Sequence, residues 1–366
     1  MKKPHDKSRR RFLGTAASLG GAICLAPAAL GQFEFHDGEM PAPLSGGPRI
    51  GNTKTQIFRA GVKFVANGTS LDNMRVAVPI PMDWGEEQKT KIVDEKPPEP
   101  GVKLEILENA RHYPGCKILL YTARKLNVNR EMEMTMTIET TRAEMLPPPE
   151  EETMRLVIPA KSPKGFDIYL RPGPKVECKE RKFVNLFNEI VRDKKGESDW
   201  KKVEAIYDYV REKIAYDGGY KDKEAKGALA TITDGKWRGD CKDMTFVFIA
   251  ICRAGRIPAR TVRLPTHCYA EFYLEEKPQA NAAPKTDRKG SKTPVNSTGH
   301  WFPCQLAGDR AFGGIPGWDP ILQKGDSYPD MNDPKERLYY FNEQFYADGT
   351  NGIKPRFSFI HELKGR

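Results

Sequence analysis

The spacing of hydrophobic residues changes near residue 180, and this change limits which folds the chain can adopt. Before it, apolar and polar residues alternate, as in segments 74–81 and 132–138. A period of two places every second side chain on one face of a β-strand. After it, apolar residues recur every three or four positions, as in 183–190, which is helical spacing. The chain therefore consists of a β-rich part followed by a part that begins with helices.

The β-rich part covers about residues 54–150. Its strand-like segments are separated by an Asn67-Gly68 turn and by connectors rich in proline and charge at 96–101 and 147–152. Short alternating strands with turn signals at this spacing are typical of a β-sandwich. We expect a sandwich-like domain here, preceded by a flexible, Gly- and Pro-rich lead-in over 32–53.

The second part is predicted to be an α+β domain over 180–325. After the helices near 183–190 and 203–214, a third helix is expected to begin at Cys241 and to end at Gly255. Strand-like segments follow, and helices followed by strands indicate an α+β fold. Residues 275–299 are polar and predicted to form a mobile loop, with a lid as the alternative. Residues 326–366 are expected to be a C-terminal extension that packs on this domain.

The first 31 residues have the features of an export signal. A basic start leads into Ser8-Arg9-Arg10-Arg11-Phe12-Leu13 and then an apolar run rich in Ala and Gly. The string resembles a twin-arginine signal, which implies the twin-arginine export machinery as a partner and a periplasmic or cell-envelope location. An ordinary secretory signal or a basic amphipathic start are the alternatives.

Composition excludes several classes of function. The 366 residues suggest two domains, and removing segment 1–31 would lower the net charge from +10 to +5. Basic residues are interleaved with acidic ones, so we expect no nucleic-acid partner. No stretch after the signal reaches the roughly 18 apolar residues of a membrane span. The six cysteines after the signal show neither C-x-x-C pairs nor zinc spacing, and no metal or cofactor is expected.

Cys241 is a candidate nucleophile because of where its helix begins. Asp240 is a favourable N-cap, and Asp243 is placed to reach back to the cap. In the first helical turn, the helix dipole favours the thiolate form of a cysteine. The alternative is a small apolar residue at the start of a buried helix.

A nucleophilic thiol also needs a base, and His267 is the candidate. Five histidines follow the signal, and His267 opens a strand shortly after the Cys241 helix. By itself, a single histidine on a strand is more often structural than catalytic.

The order of these motifs resembles the transglutaminase-like core. The matching strings are Gly239-x-Cys241-x-Asp243, the run 252–260 (CRAGRIPAR), His267-x-Tyr269-Ala270-Glu271 and Trp301-x-Pro303. In that family, a helix carries the cysteine and two adjacent antiparallel strands carry a histidine and an aspartate. Over about residues 185–320, the resemblance implies a papain-like α+β catalytic domain with Cys241 as nucleophile and His267 as base.

The third catalytic position departs from the family pattern. Where the resemblance implies an aspartate, the string Trp301-Phe302-Pro303-Cys304-Gln305 has Gln305. An amide oxygen can orient the imidazole but cannot stabilise its positive charge with a full negative charge. Asp319 and Asp309 remain the alternative orienting residues.

The same alignment implies a relation between two other cysteines. If His267 and Gln305 face each other across antiparallel strands, Cys268 and Cys304 form the next cross-strand pair, on the opposite face. The pair could be a disulfide in an oxidising compartment, or two buried free thiols.

The resemblance implies thiol-dependent acyl transfer on peptide or isopeptide amides, by hydrolysis or transamidation. The expected substrate is a protein or a peptide, cell-wall peptides included, and the calcium requirement of some family members is not carried over. One alternative is a catalytically weak or inactive envelope binding module that keeps the fold. Another is an amidase of peptidoglycan stem peptides.

Overall fold

A computed structural model of the chain describes residues 47–96, 98–220, 224–277, 285–286, 292–293 and 298–364. The predicted signal 1–31, most of the lead-in and most of the predicted mobile loop lie outside these ranges. Of the helices in the described ranges, none combines the length and the apolar character needed to cross a membrane.

The elements follow the chain in this order. The strands are β1 (Arg49–Phe64), β2 (Thr69–Ile80), β3 (Gln88–Lys96), β4 (Lys103–Glu108), β5 (Lys117–Val128), β6 (Met132–Leu146), β7 (Leu156–Val157), β8 (Ala215–Tyr216), β9 (Arg238–Gly239), β10 (Ala259–Arg263), β11 (Cys268–Glu276), β12 (Lys285–Thr286), β13 (Lys292–Thr293), β14 (Gly299–Gln305), β15 (Ala311–Phe312), β16 (Gln323–Lys324), β17 (Tyr328–Pro329), β18 (Arg337–Leu338), β19 (Gln344–Tyr346), β20 (Gly349–Thr350) and β21 (Phe357–Lys364). The α-helices are α1 (Glu150–Thr153), α2 (Arg181–Arg192), α3 (Asp199–Lys213), α4 (Ala228–Thr233) and α5 (Cys241–Ala254). Short 3-10 helices cover Asp167–Tyr169 and Gly218–Tyr220.

The β-rich part has two antiparallel sheets, with strand orders β21-β1-β6-β3 and β19-β2-β5-β4. Alternating side chains of β1, β2, β5 and β6, such as Phe58, Val76, Tyr121 and Met134, form one buried cluster. The period-two pattern therefore places one face of each strand in a shared core. Strand β1 begins at Arg49, so the predicted lead-in was too long at its C-terminal end.

The C-terminal residues pair with the sandwich strands, which the sequence analysis did not expect. Strand β21 pairs with β1 from Phe64↔Phe357 to Ile57↔Lys364, and β19 pairs with β2. The expectation that all of 326–366 packs on the second domain was wrong, since residues 344–346 and 357–364 pair with sandwich strands. The physical reason is that β1 and β2 would otherwise leave unpaired backbone groups at a sheet edge.

The α+β part is built around one sheet and one central helix. The sheet has the order β15-β14-β11-β10-β16, with β7 paired to the end of β11. Helix α5 packs against β10 and β11 and is surrounded by α2, α3 and α4. Eleven of its fourteen residues are buried, which explains why apolar residues occur all round it. Both the predicted α+β fold with a β-rich N-terminal region and the predicted ends of α5 are confirmed.

A buried network of charges lies behind this sheet. Glu271 on β11 accepts hydrogen bonds from Arg260 at 2.7 Å and from Lys324 at 2.5 Å. Lys324 also pairs with Glu87, and Glu87 pairs with Arg142. Burial alone would raise the pKa of Glu271, but the two cations lower it to about 2. The network therefore keeps Glu271 ionised in the interior.

Replacing Glu271 with alanine is expected to lower the free energy of unfolding by about 3–5 kcal/mol, because Arg260 and Lys324 would keep buried, unpaired charges. Since folding depresses the pKa of Glu271, its stabilising effect is present above pH 4.5 and is lost as the pH falls towards 2. Urea unfolding at pH 7 and at lower pH measures both effects.

The matched control is Glu131→Ala, which breaks the exposed Lys63–Glu131 pair and should leave the urea midpoint nearly unchanged, because water screens this pair. Equal losses in the two variants would contradict a structural role for the buried network.

Candidate active site

Helix α5 begins at Cys241, and Asp240 caps it as predicted. The Asp240 carboxylate accepts hydrogen bonds from the backbone N–H groups of Lys242 at 2.9 Å and Asp243 at 3.2 Å. Gly239 lies directly before the cap, where an added Cβ would be 2.6 Å from the Cβ of Asp243. The glycine of this motif is needed because the backbone approaches the helix closely there.

Asp243 does not complete the cap, contrary to the sequence prediction. Its buried carboxylate accepts hydrogen bonds from the backbone N–H groups of Lys226 at 2.8 Å and Gly227 at 3.2 Å. Burial raises the pKa of Asp243. Asp243 therefore holds residues 226–227 against the start of α5. This contact joins segments that are distant in sequence.

His267 lies immediately before β11 and is brought to the start of α5. Its Nε2 atom is 3.2 Å from Oε1 of Gln305, and the imidazole is also hydrogen-bonded to Cys241. Because Nε2 faces Gln305, Nδ1 is the nitrogen that remains for the sulfur. The three residues proposed from the sequence thus form one connected chain of contacts.

The surroundings of Cys241 favour its thiolate. The pKa of Cys241 is lowered to about 4, and the largest cause is a hydrogen bond that the Cys268 thiol donates to the Cys241 sulfur. The hydrogen bond with His267 and the positive charge of its imidazolium also lower this pKa, whereas burial raises it. Burial disfavours the charged imidazole, but the contact with Cys241 outweighs it and raises the pKa of His267 above 6.5. A thiolate–imidazolium pair is therefore the stable form between these two pKa values.

Gln305 is oriented by the loop that follows β14. Its Nε2 donates to the carbonyl of Asp309 at 3.4 Å, which leaves Oε1 pointing at His267. Arg211 on α3 donates to the carbonyls of Gln305, Leu306 and Gly308, at 3.2, 3.0 and 2.8 Å. Arg211 was not predicted from the sequence, because its partners are backbone carbonyls that no motif reveals.

The two alternative orienting residues occupy different positions. Asp309 is exposed and contacts Gln305 through its backbone carbonyl rather than its carboxylate. The negative charge of Asp319 raises the pKa of His267, with a smaller effect than the hydrogen bond that the imidazole donates to Gln305 Oε1. Gln305 is therefore in direct hydrogen-bond contact with the imidazole, at 3.2 Å.

Comparison with known proteins identifies the family of the part of the chain that carries this site. Residues 185–302 match the family model of the transglutaminase-like superfamily. The chain contains a transglutaminase-like domain. The resemblance predicted from the motifs is confirmed, and a search of curated proteins finds no significant match.

Three solved structures are similar to the chain. A presumed cysteine protease from Cytophaga hutchinsonii is 17% identical and has a TM-score of 0.48, covering 84% of this chain and 93% of that one. A presumed protease from Parabacteroides distasonis is 10% identical and has a TM-score of 0.23, covering 68% and 46%. The periplasmic domain of TgpA from Pseudomonas aeruginosa, bound to ethylmercury, is 12% identical and has a TM-score of 0.27, covering 64% and 82%.

The strand register of the transglutaminase-like domain corrects the predicted cysteine pair. Cys304 lies opposite Ala270, not opposite Cys268, and the six cysteines that the structure describes are free thiols. Cys268 and Cys304 both belong to the core beneath the helices. The prediction was wrong because His267 precedes β11, so the alternation of side chains along a strand does not apply to it. The Cys268 side chain faces Cys241 and does not lie on the opposite side of the sheet from the candidate site.

A cavity of about 340 Å³ opens beside the Cys241 sulfur in the transglutaminase-like domain. Its lining residues are Asp240, Cys241, Lys242, Arg263, Leu264, Pro265, Thr266, His267, Cys268, Tyr339, Tyr340 and Asn342. Tyr339 and Tyr340 form one wall of the cavity and reach it from the C-terminal part of the chain. This wall was not predicted from the sequence. Within the described ranges, no group of three or more His, Cys, Asp or Glu side chains is placed to hold a metal ion.

Proposed function

We propose that the protein catalyses thiol-dependent acyl transfer on peptide or isopeptide amides, with hydrolysis as the main reaction. Cys241 is the nucleophile, His267 the acid and base, and Gln305 orients the imidazole. The observation that supports this assignment is the continuous contact from the Cys241 sulfur through the imidazole to the Gln305 amide. The transglutaminase-like domain supports an enzyme of that superfamily.

The reaction follows from the ionised pair. The Cys241 thiolate attacks the amide carbonyl, next to the positive end of the α5 dipole, which favours the developing oxyanion. The imidazolium of His267 protonates the leaving amine, and a thioester remains on Cys241. His267 then takes a proton from the attacking water or amine, which gives hydrolysis or transamidation.

The cavity supports a peptide as the substrate. Its cations are already paired, Lys242 with Asp240 at 3.1 Å and Arg263 with Glu343 at 3.2 Å. The walls therefore offer aromatic and neutral polar surface rather than a free charge for a strongly anionic ligand. We infer that a protein segment or a cell-wall peptide binds there.

The N-terminal segment supports export to the periplasm or another part of the cell envelope. The Arg9-Arg10 pair with the following Phe12-Leu13 is the basis for proposing the twin-arginine machinery as a partner. An enzyme that acts on envelope proteins or on cell-wall peptides would meet its substrate there.

A catalytically weak envelope binding module is the second candidate, and the neutral amide of Gln305 favours it. An amide can orient the imidazole of His267, but it leaves the imidazolium without the charge that an aspartate would supply. The two functions differ in turnover, since a binding module would retain peptides without cleaving them.

The proposed function is tested with three substrates: labelled casein, an amine tracer for transamidation, and purified cell-wall material. We expect the wild type to release peptides or free amino groups, and Cys241→Ala to lose all measurable turnover, because the covalent intermediate cannot form. Cys116→Ala, which removes a buried thiol of the sandwich, is the matched control and should keep full activity. Absence of turnover on all three substrates, with retention of peptides, would favour the binding module.

A further inference from the structure

A second thiol lies against the candidate nucleophile. Cys268 is 1% exposed, and its thiol is hydrogen-bonded to Cys241. Its Sγ atom is also 3.8 Å from Oγ1 of Thr245. Thr245 is one helical turn beyond Cys241 on α5, so the two contacts place the Cys268 sulfur directly over the start of the helix.

No bond-making or proton-transfer step of the proposed acyl transfer involves this thiol, which donates only a hydrogen bond to the Cys241 sulfur. His267 and Gln305 already supply a base and an orienting group for Cys241. Burial raises the pKa of Cys268 well above its ordinary value, so Cys268 remains a protonated thiol beside the thiolate. A low-pKa, partly exposed thiolate next to a second thiol is the arrangement that allows reversible oxidation.

We propose that Cys241 and Cys268 form an oxidation site, in which a peroxide oxidises Cys241 and Cys268 converts the product into a Cys241–Cys268 disulfide. This inference rests on the proposed function, because it requires Cys241 to be a reactive thiolate. The disulfide removes the nucleophile, so the oxidised protein is inactive until a thiol reductant restores it.

Hydrogen peroxide is the oxidant in this reaction. The Cys241 thiolate attacks one peroxide oxygen, the O–O bond breaks, and the departing hydroxide takes the His267 proton to become water. Cys268 then gives its proton to His267, and its sulfur attacks the sulfenic acid sulfur of Cys241. The S–O bond breaks, and hydroxide leaves as a second water with the His267 proton. Two thiols are oxidised by two electrons, and one peroxide is reduced to two waters.

Among the described contacts, none joins Cys304 or Cys252 to the Cys241 sulfur. Cys304 lies opposite Ala270, on the neighbouring strand β14. Cys252 lies eleven positions after Cys241 on the same helix, which corresponds to about 16 Å along the helix axis. Without a resolving thiol, a sulfenic acid at Cys241 would proceed to sulfinic acid, which thiol reductants do not reverse.

The test is peroxide oxidation of the reduced full chain, followed by denaturation, blocking of free thiols with N-ethylmaleimide and peptide mapping. We expect the wild type to give a linked Cys241–Cys268 peptide pair, and dithiothreitol to recover at least about 90% of the free thiols. In Cys268→Ser we expect sulfinic acid at Cys241 and no recovery. Cys304→Ser is the matched control and should form the same linked pair as the wild type.

Two results would overturn the inference: sulfinic acid in the wild type to the same extent as in Cys268→Ser, or a disulfide that joins other cysteines. Cys268→Ala is a second variant in case serine disturbs folding, and the wild-type map is decisive without either variant. The iodoacetamide rate of the untreated protein separates the two proposals. Fast alkylation of Cys241 without a linked pair overturns the oxidation site alone, whereas an unreactive Cys241 overturns the proposed function as well.

Discussion

The alkylation rate of Cys241 by iodoacetamide is expected to stay nearly constant from pH 8 down to about pH 5.5. The pKa of Cys241 is about 4, so the sulfur is already a thiolate throughout this range. For an ordinary thiol, the thiolate fraction and the rate would fall by more than about a hundredfold over the same interval. Quenched samples analysed by peptide mapping give the rate at Cys241 separately from those of the buried cysteines.

His267→Ala is the variant that makes this measurement specific. Removing the imidazolium should raise the pKa of Cys241, and we expect the rate at pH 5.5 to fall roughly tenfold while the rate at pH 8 changes less. His300→Ala is the matched control, since His300 pairs with Glu276 away from the sulfur and should leave the profile unchanged. A wild-type profile that rises steadily towards pH 9 would mean that Cys241 is an ordinary thiol, and the enzymatic proposal would be abandoned.

The same two groups determine the sign of the pH dependence of activity. In the proposed mechanism, the active form has Cys241 deprotonated and His267 protonated. Since the pKa of Cys241 is lowered to about 4 and that of His267 is raised above 6.5, kcat/KM should rise through pH 4 and fall above the His267 pKa.

Gln305→Ala is expected to lower kcat/KM by about a hundredfold or more, because the imidazole loses the acceptor that holds its orientation. Gln305→Asp should raise kcat/KM above the wild-type value and move the alkaline fall of the pH profile upwards, since a carboxylate stabilises the imidazolium. Steady-state kinetics of the three proteins between pH 4 and pH 9 measure both effects.

Asp309→Ala is the matched control for this series. Asp309 contacts Gln305 through its backbone carbonyl, which the substitution keeps, so kcat/KM should change by less than about threefold. Asp319→Asn tests the remaining alternative. A larger loss in Asp319→Asn than in Gln305→Ala would assign the orienting role to Asp319 and contradict the proposed site.

Much of the second domain could be predicted from local sequence pattern. The N-cap at Asp240, the start of α5 at Cys241 and its end at Gly255 agree with the structure. These features depend on backbone groups within one helical turn, which is why a few neighbouring residues suffice to predict them. The connected contacts of Cys241, His267 and Gln305 were anticipated from the family resemblance together with these local signals.

The contacts between distant segments were the part of the structure least predictable from the sequence. From the sequence, Cys268 was expected opposite Cys304, on the face away from His267 and Gln305. Instead, Cys304 lies opposite Ala270, and the Cys268 thiol contacts Thr245 and Cys241 on α5. The pairing of β21 with β1 was not predicted either. Strand register is set by how side chains from distant segments fit together, and a small shift reverses which face a residue occupies.

The sequence by itself therefore determined the order of the secondary structure, the position of the candidate nucleophile at a helix start and the family of the second domain. Only the tertiary structure decided which side chains reach the Cys241 sulfur: His267 from a coil, Cys268 from β11, and the Tyr339–Tyr340 wall from the C-terminal part of the chain. Periodicity and capping act over a few residues, whereas the acidity of the thiol depends on charges and hydrogen bonds brought together from segments far apart in the chain.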